Sequence, residues 1–207
     1  STTLANRAIL QIANVQLIAK EVGIEVRTLL PFGSEVTDTQ LDAMIATLAK
    51  DKPDLIFNHG SAGLYQKLIS RIRTAGLKVA VMGVNSGSSQ IAKNLGPMAQ
   101  GMIFAQVVPS PWERKRAITR EYQDTLRRMK PDAEFSYGSL EGFMTAKALV
   151  LALRQAGRDL TRASFTEALE ASNFDLGGVS VRYGKGDHEG SRFIDLALVA
   201  RDGRFMH

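Results

Sequence analysis

A strand, a helix and a second strand follow one another between residues 54 and 89, and this βαβ unit constrains the fold more than any other stretch. Residues 55–57 form a short unbroken apolar run, which is typical of a parallel strand covered on both faces. Residues 63–75 carry apolar side chains at helical spacing, and residues 79–82 form the second strand. Each strand runs into a polar loop. The two loops are therefore expected to lie side by side at the edge where open parallel sheets bind ligands.

The preceding and following segments extend this unit into a doubly wound α/β sheet. Apolar periodicity predicts helices at residues 4–22 and 38–50, the latter with Asp38 as its N-cap, and strands at residues 24–30 and 102–108. Alternating helices and strands favour a parallel sheet. In the flavodoxin-like order the first strand lies inside the second, yet here a helix comes first. Either the strand at residues 24–30 lacks its neighbour, or a longer protein supplies the opening strand.

From Trp112 onward the pattern changes to long helices and then to short strands. The predicted helices are residues 113–129, 140–156 and 162–171, and the predicted strands are residues 179–183 and 194–200. Thr161 is expected to cap the third helix, and Asp202 and Gly203 to form a hairpin turn. No apolar run approaches the length of a membrane helix, and no charged-then-apolar leader precedes Ser1. Processing, tagging and truncation all remain compatible with a chain that starts at Ser.

The charge balance does not require a nucleic-acid partner. Lys and Arg exceed Asp and Glu by 26 to 21, giving a net charge of +5 and a pI of about 9.6. The densest basic stretch, residues 114–130, is interleaved with Glu121 and Asp124 at helical spacing, which favours a solvated helix face over a binding patch. No nucleic-acid motif accompanies it. We therefore expect no nucleic acid among the partners.

Enzyme and metal sites are also disfavoured by the residue pattern. The chain contains no Cys, and its three His residues fall in unrelated segments without a partnered acid and nucleophile. His188 stands between Asp187 and Glu189, but a polar hairpin tip explains this trio more simply than a metal site. Residues 83–87 lack the Lys and Ser or Thr of a phosphate loop. The sequence thus predicts no catalytic residue, no metal and no cofactor.

Six segments, taken in order, resemble the type I periplasmic binding proteins of the leucine, isoleucine and valine branch, the solute receptors of ABC importers. They are DLIFNHG, RTAGLK, VMGVNSG, GMIFAQVVPSP, YGSLEGFMTAKALVLAL and FDLGGVSVRYGKGDHEGSRFIDLALV. The resemblance implies two α/β lobes that close on a solute by a hinge. It assigns residues 1–108 to most of the second lobe, residues 109–172 to helices of the first lobe, and residues 173–207 to strands returning to the second. An upstream half would then hold the first lobe's sheet and the opening strand.

The resemblance places the solute site in the two loops and near the crossover. Its candidate ligand-binding residues are His59, Ser61, Ala62, Asn85, Ser86 and Tyr137. In the family that this chain resembles, receptors for α-amino acids have a carboxylate after the second strand, where it meets the substrate ammonium. This chain has Asn85 and Ser86 there. The same receptors also tend to carry an aromatic residue in the loop where this chain has His59. This neutral lining favours a carboxylate or another polar solute, since the backbone N–H groups at residues 61–63 open a helix.

Each candidate also has a structural interpretation, which the sequence leaves open. His59 either contacts solute or caps the sheet, Asn85 and Ser86 either orient a ligand or make turn hydrogen bonds, and Tyr137 either lines the cleft or packs. The favoured function is a periplasmic receptor of an ABC importer that binds an amino acid or organic carboxylate. Its expected partners are the membrane permease and the upstream lobe. The alternatives are a ligand-sensing domain of a transcriptional regulator or signalling receptor with the same fold, and a cytosolic enzyme.

Overall fold

The computed structural model describes residues 2–32, 35–60, 62–84 and 87–207, with side chains from residue 12 onward except at residue 62. The first half contains α1 (Thr2–Glu21), α2 (Asp38–Asp51), β1 (Leu55–Asn58), α3 (Ala62–Thr74), β2 (Ala80–Gly83), α4 (Ser88–Leu95) and β3 (Met102–Gln106). The second half contains α5 (Ala117–Met129), α6 (Tyr137–Ala156), α7 (Arg162–Ala171), β4 (Asn173–Asp175), β5 (Ser180–Arg182), β6 (Asp195–Val199) and β7 (Phe205–Met206). None of the described helices is long and apolar enough to span a bilayer.

Five strands form one sheet in the order β1-β2-β3-β6-β7. β1, β2 and β3 are parallel, whereas β6 and β7 join them in antiparallel pairs. The predicted βαβ unit is confirmed, and so is the hairpin turn, in which the Ala200 N–H donates to Arg204 and the Gly203 φ is 80°. β4 and β5 pair only with each other. The α/β class predicted from the sequence is confirmed.

Two apolar clusters hold the described chain together. In the first, α2, α3 and α4 cover one face of the sheet, with Tyr65, Ile72 and Phe104 fully buried. In the second, α5 and α6 pack around the β4–β5 hairpin. Phe205 packs against both clusters, so β7 joins the sheet to the helical part. The Arg73 guanidinium donates to four backbone carbonyls in the segments that lead into β2 and β3. It therefore holds the amino-terminal ends of these two strands together.

Two predictions of local structure were wrong. Residues 24–30 form no strand, and in the described part of the chain no strand pairs with them. The segment passes from Thr28, which bonds Asp51 just before β1, to Phe32, whose ring lies 3.2 Å from where a Cβ on Gly60 would stand just after β1. It therefore runs alongside β1 without forming a ladder with it.

The second error concerns the start of α2. Thr37, rather than Asp38, is the N-cap, because the Thr37 side chain accepts from the Gln40 N–H while the Gln40 side chain accepts from the Thr37 N–H. Asp38 instead is the first residue of the helix, where its charge is favourable. The predicted cap Thr161 of α7 is confirmed by its bond from the Ser164 N–H.

Candidate functional site

The loops after β1 and β2 begin at adjacent positions on the carboxyl edge of the sheet. Asn58 ends β1, Gly83 ends β2, and the two are direct partners in the parallel register. His59 and Val84 therefore start neighbouring loops, as the sequence predicted. The helix that follows each loop, α3 or α4, begins at the same edge, and neither has an acidic residue in its first turn. An acceptor group placed there would meet the positive ends of two helices.

The structure describes only some of the predicted site residues. His59 is exposed in the first loop, and Ala62 opens α3 through its backbone. Ser61, Asn85 and Ser86 lie outside the described residues. Their contact with a solute stays a prediction.

Tyr137 lies in a packed aromatic group at the start of α6. Its ring meets those of Trp112 and Phe205 edge to face, each with ring centroids 5.3 Å apart. The Tyr137 hydroxyl is 2.8 Å from Nε2 of His207, whose Nδ1 is 3.1 Å from the Asp195 carboxylate. Burial raises the pKa of Tyr137, and the nearby Asp195 charge adds to this. In this conformation Tyr137 is a neutral, bonded part of the joint between α6 and the β6–β7 hairpin.

A buried polar layer that the sequence reasoning missed lies beneath the loops. Asn58, Ser88 and Gln106 are almost fully buried, and the Gln106 Nε2 donates to the Ser88 hydroxyl at 3.0 Å. Within the described part of the chain, Asn58 Nδ2, Ser89 Oγ and Gln106 Oε1 have no hydrogen-bond partner. The available signal was an amide residue closing each of the apolar strands LIFN and MIFAQ. Such a residue at a buried strand end indicates a polar role.

The second helix of the edge begins at a glycine, which has no side chain to cap it. Gly87 precedes α4 with φ 70°, and within the described residues no side-chain cap bond is seen at this N-terminus. Helix N–H groups left uncapped usually find a partner in water or a ligand. The arrangement is therefore suited to receive a carbonyl or carboxylate oxygen.

Two other groups of charged side chains bond within the chain itself. His188 lies 3.3 Å from Glu170, and Asp187 accepts from the Glu189 N–H at the tip of the hairpin. Five basic residues around α5 bond acidic side chains or backbone carbonyls, namely Arg114, Lys115, Arg116, Arg120 and Arg127. Among the residues that the structure describes, no three His, Asp or Glu side chains come together in a way that could hold a metal ion.

The sequence matches a family model described as periplasmic binding protein over residues 9–204. No curated protein is similar enough to count as a match. Several solved structures are similar to this chain, which spans about half the length of each of the three described below. A possible leucine/isoleucine/valine-binding protein from Rhodopirellula baltica is 27% identical, with a TM-score of 0.74, over 84% of this chain and 47% of that one.

Two further structures share the fold at lower identity. A fatty acid ABC transporter substrate-binding protein from Thermomonospora curvata is 23% identical, with a TM-score of 0.78, over 94% of this chain and 51% of that one. A branched chain amino acid ABC transporter from Thermus thermophilus, solved with bound valine, is 20% identical, with a TM-score of 0.73, over 92% and 53%. The first of these is a substrate-binding protein, and the second holds valine. The resemblance seen in the sequence is confirmed: the chain belongs to the periplasmic binding protein family.

Proposed function

We propose that this chain forms one wall of the solute pocket in a periplasmic receptor, which delivers a small polar solute to the membrane permease of an ABC importer. The observation that carries the proposal is the pair of loops after β1 and β2, which start side by side at the carboxyl edge of the parallel strands. Membership of the family supports the receptor role.

The opposite wall is proposed to come from a second lobe, which closes on the solute by a hinge. Residues 1–108 and 173–207 would belong to one lobe and residues 109–172 to the other, with the β4–β5 hairpin packing against α5 and α6 of that other lobe. Exposed apolar side chains on α6, namely Leu149 and Val150, form a face that further chain would cover.

We propose that the solute carries a carboxylate. The helix starts at the loop edge favour a negatively charged oxygen, and no acidic residue stands in the first turn of α3 or α4 to compete with it. The ligands named for two similar structures, a fatty acid and valine, both contain a carboxylate. Asn85 takes the place of the acidic residue that would pair with an ammonium, so an acid without an ammonium group should bind better than an amino acid.

Calorimetric titration of the complete receptor tests this function. L-leucine, L-valine, succinate and octanoate are the probes, and at least one of the two acids without an ammonium group should bind with a Kd in the micromolar range. Tight binding of leucine alone would overturn the proposed solute class. The 207-residue chain by itself should bind at about millimolar strength or weaker, because a single wall buries much less of the solute. Micromolar binding by that chain would contradict the two-wall pocket.

A charge substitution sharpens the test. Asn85→Asp restores a carboxylate at the loop, and it should weaken binding of succinate or octanoate while strengthening binding of L-valine. Asn94→Asp is the matched control, because it adds the same charge to an exposed position near the far end of α4. Equal effects of the two substitutions would show that Asn85 does not face the solute.

A further inference from the structure

Tyr65 of α3 lies at the junction of the two loops. It is fully buried, and its hydroxyl accepts from the Val84 N–H at 3.2 Å while donating to the Asn58 carbonyl. Asn58 is the last residue of β1, and Val84 is the first residue after β2. One hydroxyl group therefore ties together the starts of both loops.

The position of the Tyr65 ring depends on Gly83. A Cβ added to Gly83 would lie 2.8 Å from Cε1 of Tyr65 and 2.9 Å from its hydroxyl oxygen. The ring also lies near that of Phe104, with ring centroids 6.5 Å apart. Side chains in such a core cannot shift without disturbing their neighbours. The hydroxyl is thus held at a fixed point above the end of β2.

The protonation state of Tyr65 agrees with both bonds. Burial raises the pKa of Tyr65, although the backbone N–H groups of Val84 and Gly60 partly oppose this. The hydroxyl therefore keeps its single proton at neutral pH. The hydroxyl donates its O–H to the Asn58 carbonyl, and a lone pair of its oxygen accepts from the Val84 N–H.

A second buried side chain holds the far end of the loop after β2. Gln106, the last residue of β3, donates from Nε2 to the hydroxyl of Ser88, the first residue of α4. The loop between Val84 and Ser88 is therefore anchored at both ends by side chains from other elements. Buried bonds of this kind restrict the conformations open to a short loop.

We propose that Tyr65 is a positioning residue of the solute site, because its hydroxyl fixes the separation of the starts of the two loops that are proposed to contact the solute. The effect on binding rests on the proposed function. The effect on loop order does not, since it can be measured without any solute. Gln106 is proposed to assist by holding the far end of the second loop.

Amide hydrogen exchange of the 207-residue chain tests the effect on loop order. Tyr65→Phe keeps the ring and removes the hydroxyl, so exchange at residues 59–63 and 84–88 should become about five- to tenfold faster, the loss of one buried hydrogen bond. Tyr122→Phe is the matched control, because Tyr122 is also buried and its hydroxyl bonds Ser139 and the Ser136 N–H in the second cluster. Unchanged exchange in Tyr65→Phe, or equal acceleration of these loops by Tyr122→Phe, would overturn the proposal.

If Tyr65→Phe fails to fold, hydrogen exchange of Gln106→Met provides a second test of the two anchors. It should accelerate exchange near Ser88 and leave the amides of residues 59–63 unchanged. Faster exchange across both loops in Gln106→Met would show general loosening rather than two separate anchors, and would count against the proposal.

Titration of the complete receptor with L-valine, succinate and octanoate tests the effect on binding. Whichever of these binds the unsubstituted receptor should bind Tyr65→Phe about five- to tenfold more weakly and Tyr122→Phe equally well. Unchanged affinity in Tyr65→Phe despite faster loop exchange would overturn the role in solute binding. If none of the three solutes binds, the proposed solute class fails, while the exchange experiment still decides whether Tyr65 positions the loops.

Discussion

The two faces of the five-stranded sheet differ in how deeply their side chains are buried. Successive side chains along each strand point to opposite faces, so the residues of each face can be read from the register. On one face, Ile56, Val81 and Met102 stand in register across three strands and pack under the helices of the first cluster. On the other face, one cross-strand row spans all five strands. It consists of Phe57, Met82, Ile103, Leu198 and Met206.

This second row is apolar throughout, and its side chains are exposed or only partly buried. Phe57 is 42% exposed, Leu198 37% and Met206 49%. Parallel strands in proteins are usually buried on both faces. The covered face therefore carries the buried core beneath the loops, whereas the other, open face leaves apolar side chains exposed.

Truncation of one Phe on each face should give the largest difference. Phe104→Ala removes a fully buried ring and should lower the free energy of unfolding by about 3–5 kcal/mol. Phe57→Ala removes a ring that is 42% exposed on the other face of the sheet. It should lower the free energy of unfolding of the 207-residue chain by less than about 1.5 kcal/mol. Urea unfolding followed by circular dichroism measures both. Similar losses would mean that the two faces are equally covered.

Overpacking of the covered face should give the next largest effect. Gly83→Ala places a methyl group 2.8 Å from the Tyr65 ring and should destabilise the chain by about 1–3 kcal/mol. Gly142→Ala is the control, because a Cβ there meets no atom within 4 Å and lies inside α6, where Ala should stabilise by about 0.5–1 kcal/mol. Thermal unfolding compares the two. A Gly83→Ala chain as stable as the parent would show that the ring over β2 is free to move.

Polar substitution of the open face should have a small effect on stability but a clear effect on association. The double variant Phe57→Ser and Met206→Ser interrupts the exposed row at both ends, and it should reduce binding of an apolar dye and self-association of the 207-residue chain. Dye fluorescence and sedimentation measure these changes. Undiminished dye binding would place the exposed apolar surface elsewhere.

The smallest expected effect is the loss of stability in acid, and it should arise in the β4–β5 hairpin, which lies outside the five-stranded sheet. The N–H groups of Gly178 and Gly177 lower the pKa of Asp175 in the β4–β5 hairpin. Because the folded pKa lies below the unfolded value of about 3.9, the stabilisation is complete above that value and is lost as pH falls through the folded pKa. Asp175→Asn should flatten the decline of the urea midpoint below pH 4. An unchanged decline would assign the acid sensitivity to other carboxyl groups.

Sequence periodicity was sufficient to predict the elements whose own apolar side chains form one buried face. The βαβ unit, the loops at its carboxyl edge and the cap of α7 follow from local residues, and the structure contains them. Residues 24–30 show why this reasoning fails for some strands. Their pattern suits a strand, yet a strand needs a partner for its backbone groups, and local sequence does not show whether the partner is present.

The side chains that support the site could not be predicted for a related reason. Tyr65 lies on an apolar helix stripe and looks like ordinary core, while its bonds reach Asn58 and Val84 at separations of 7 and 19 residues. Gln106 ends an apolar strand, and its partner Ser88 is 18 residues away. Such roles depend on which strands become neighbours. They appear only once the order of the sheet is known.

Hydrogen exchange of the complete receptor, with and without a saturating solute from the titration series, tests the central claim most directly. If the loops after β1 and β2 form a wall of the pocket, solute should slow exchange at residues 59–63 and 84–88 together, and leave the β4–β5 hairpin unchanged. Binding heat without protection of either loop would contradict the account, because the solute would then lie elsewhere on the protein.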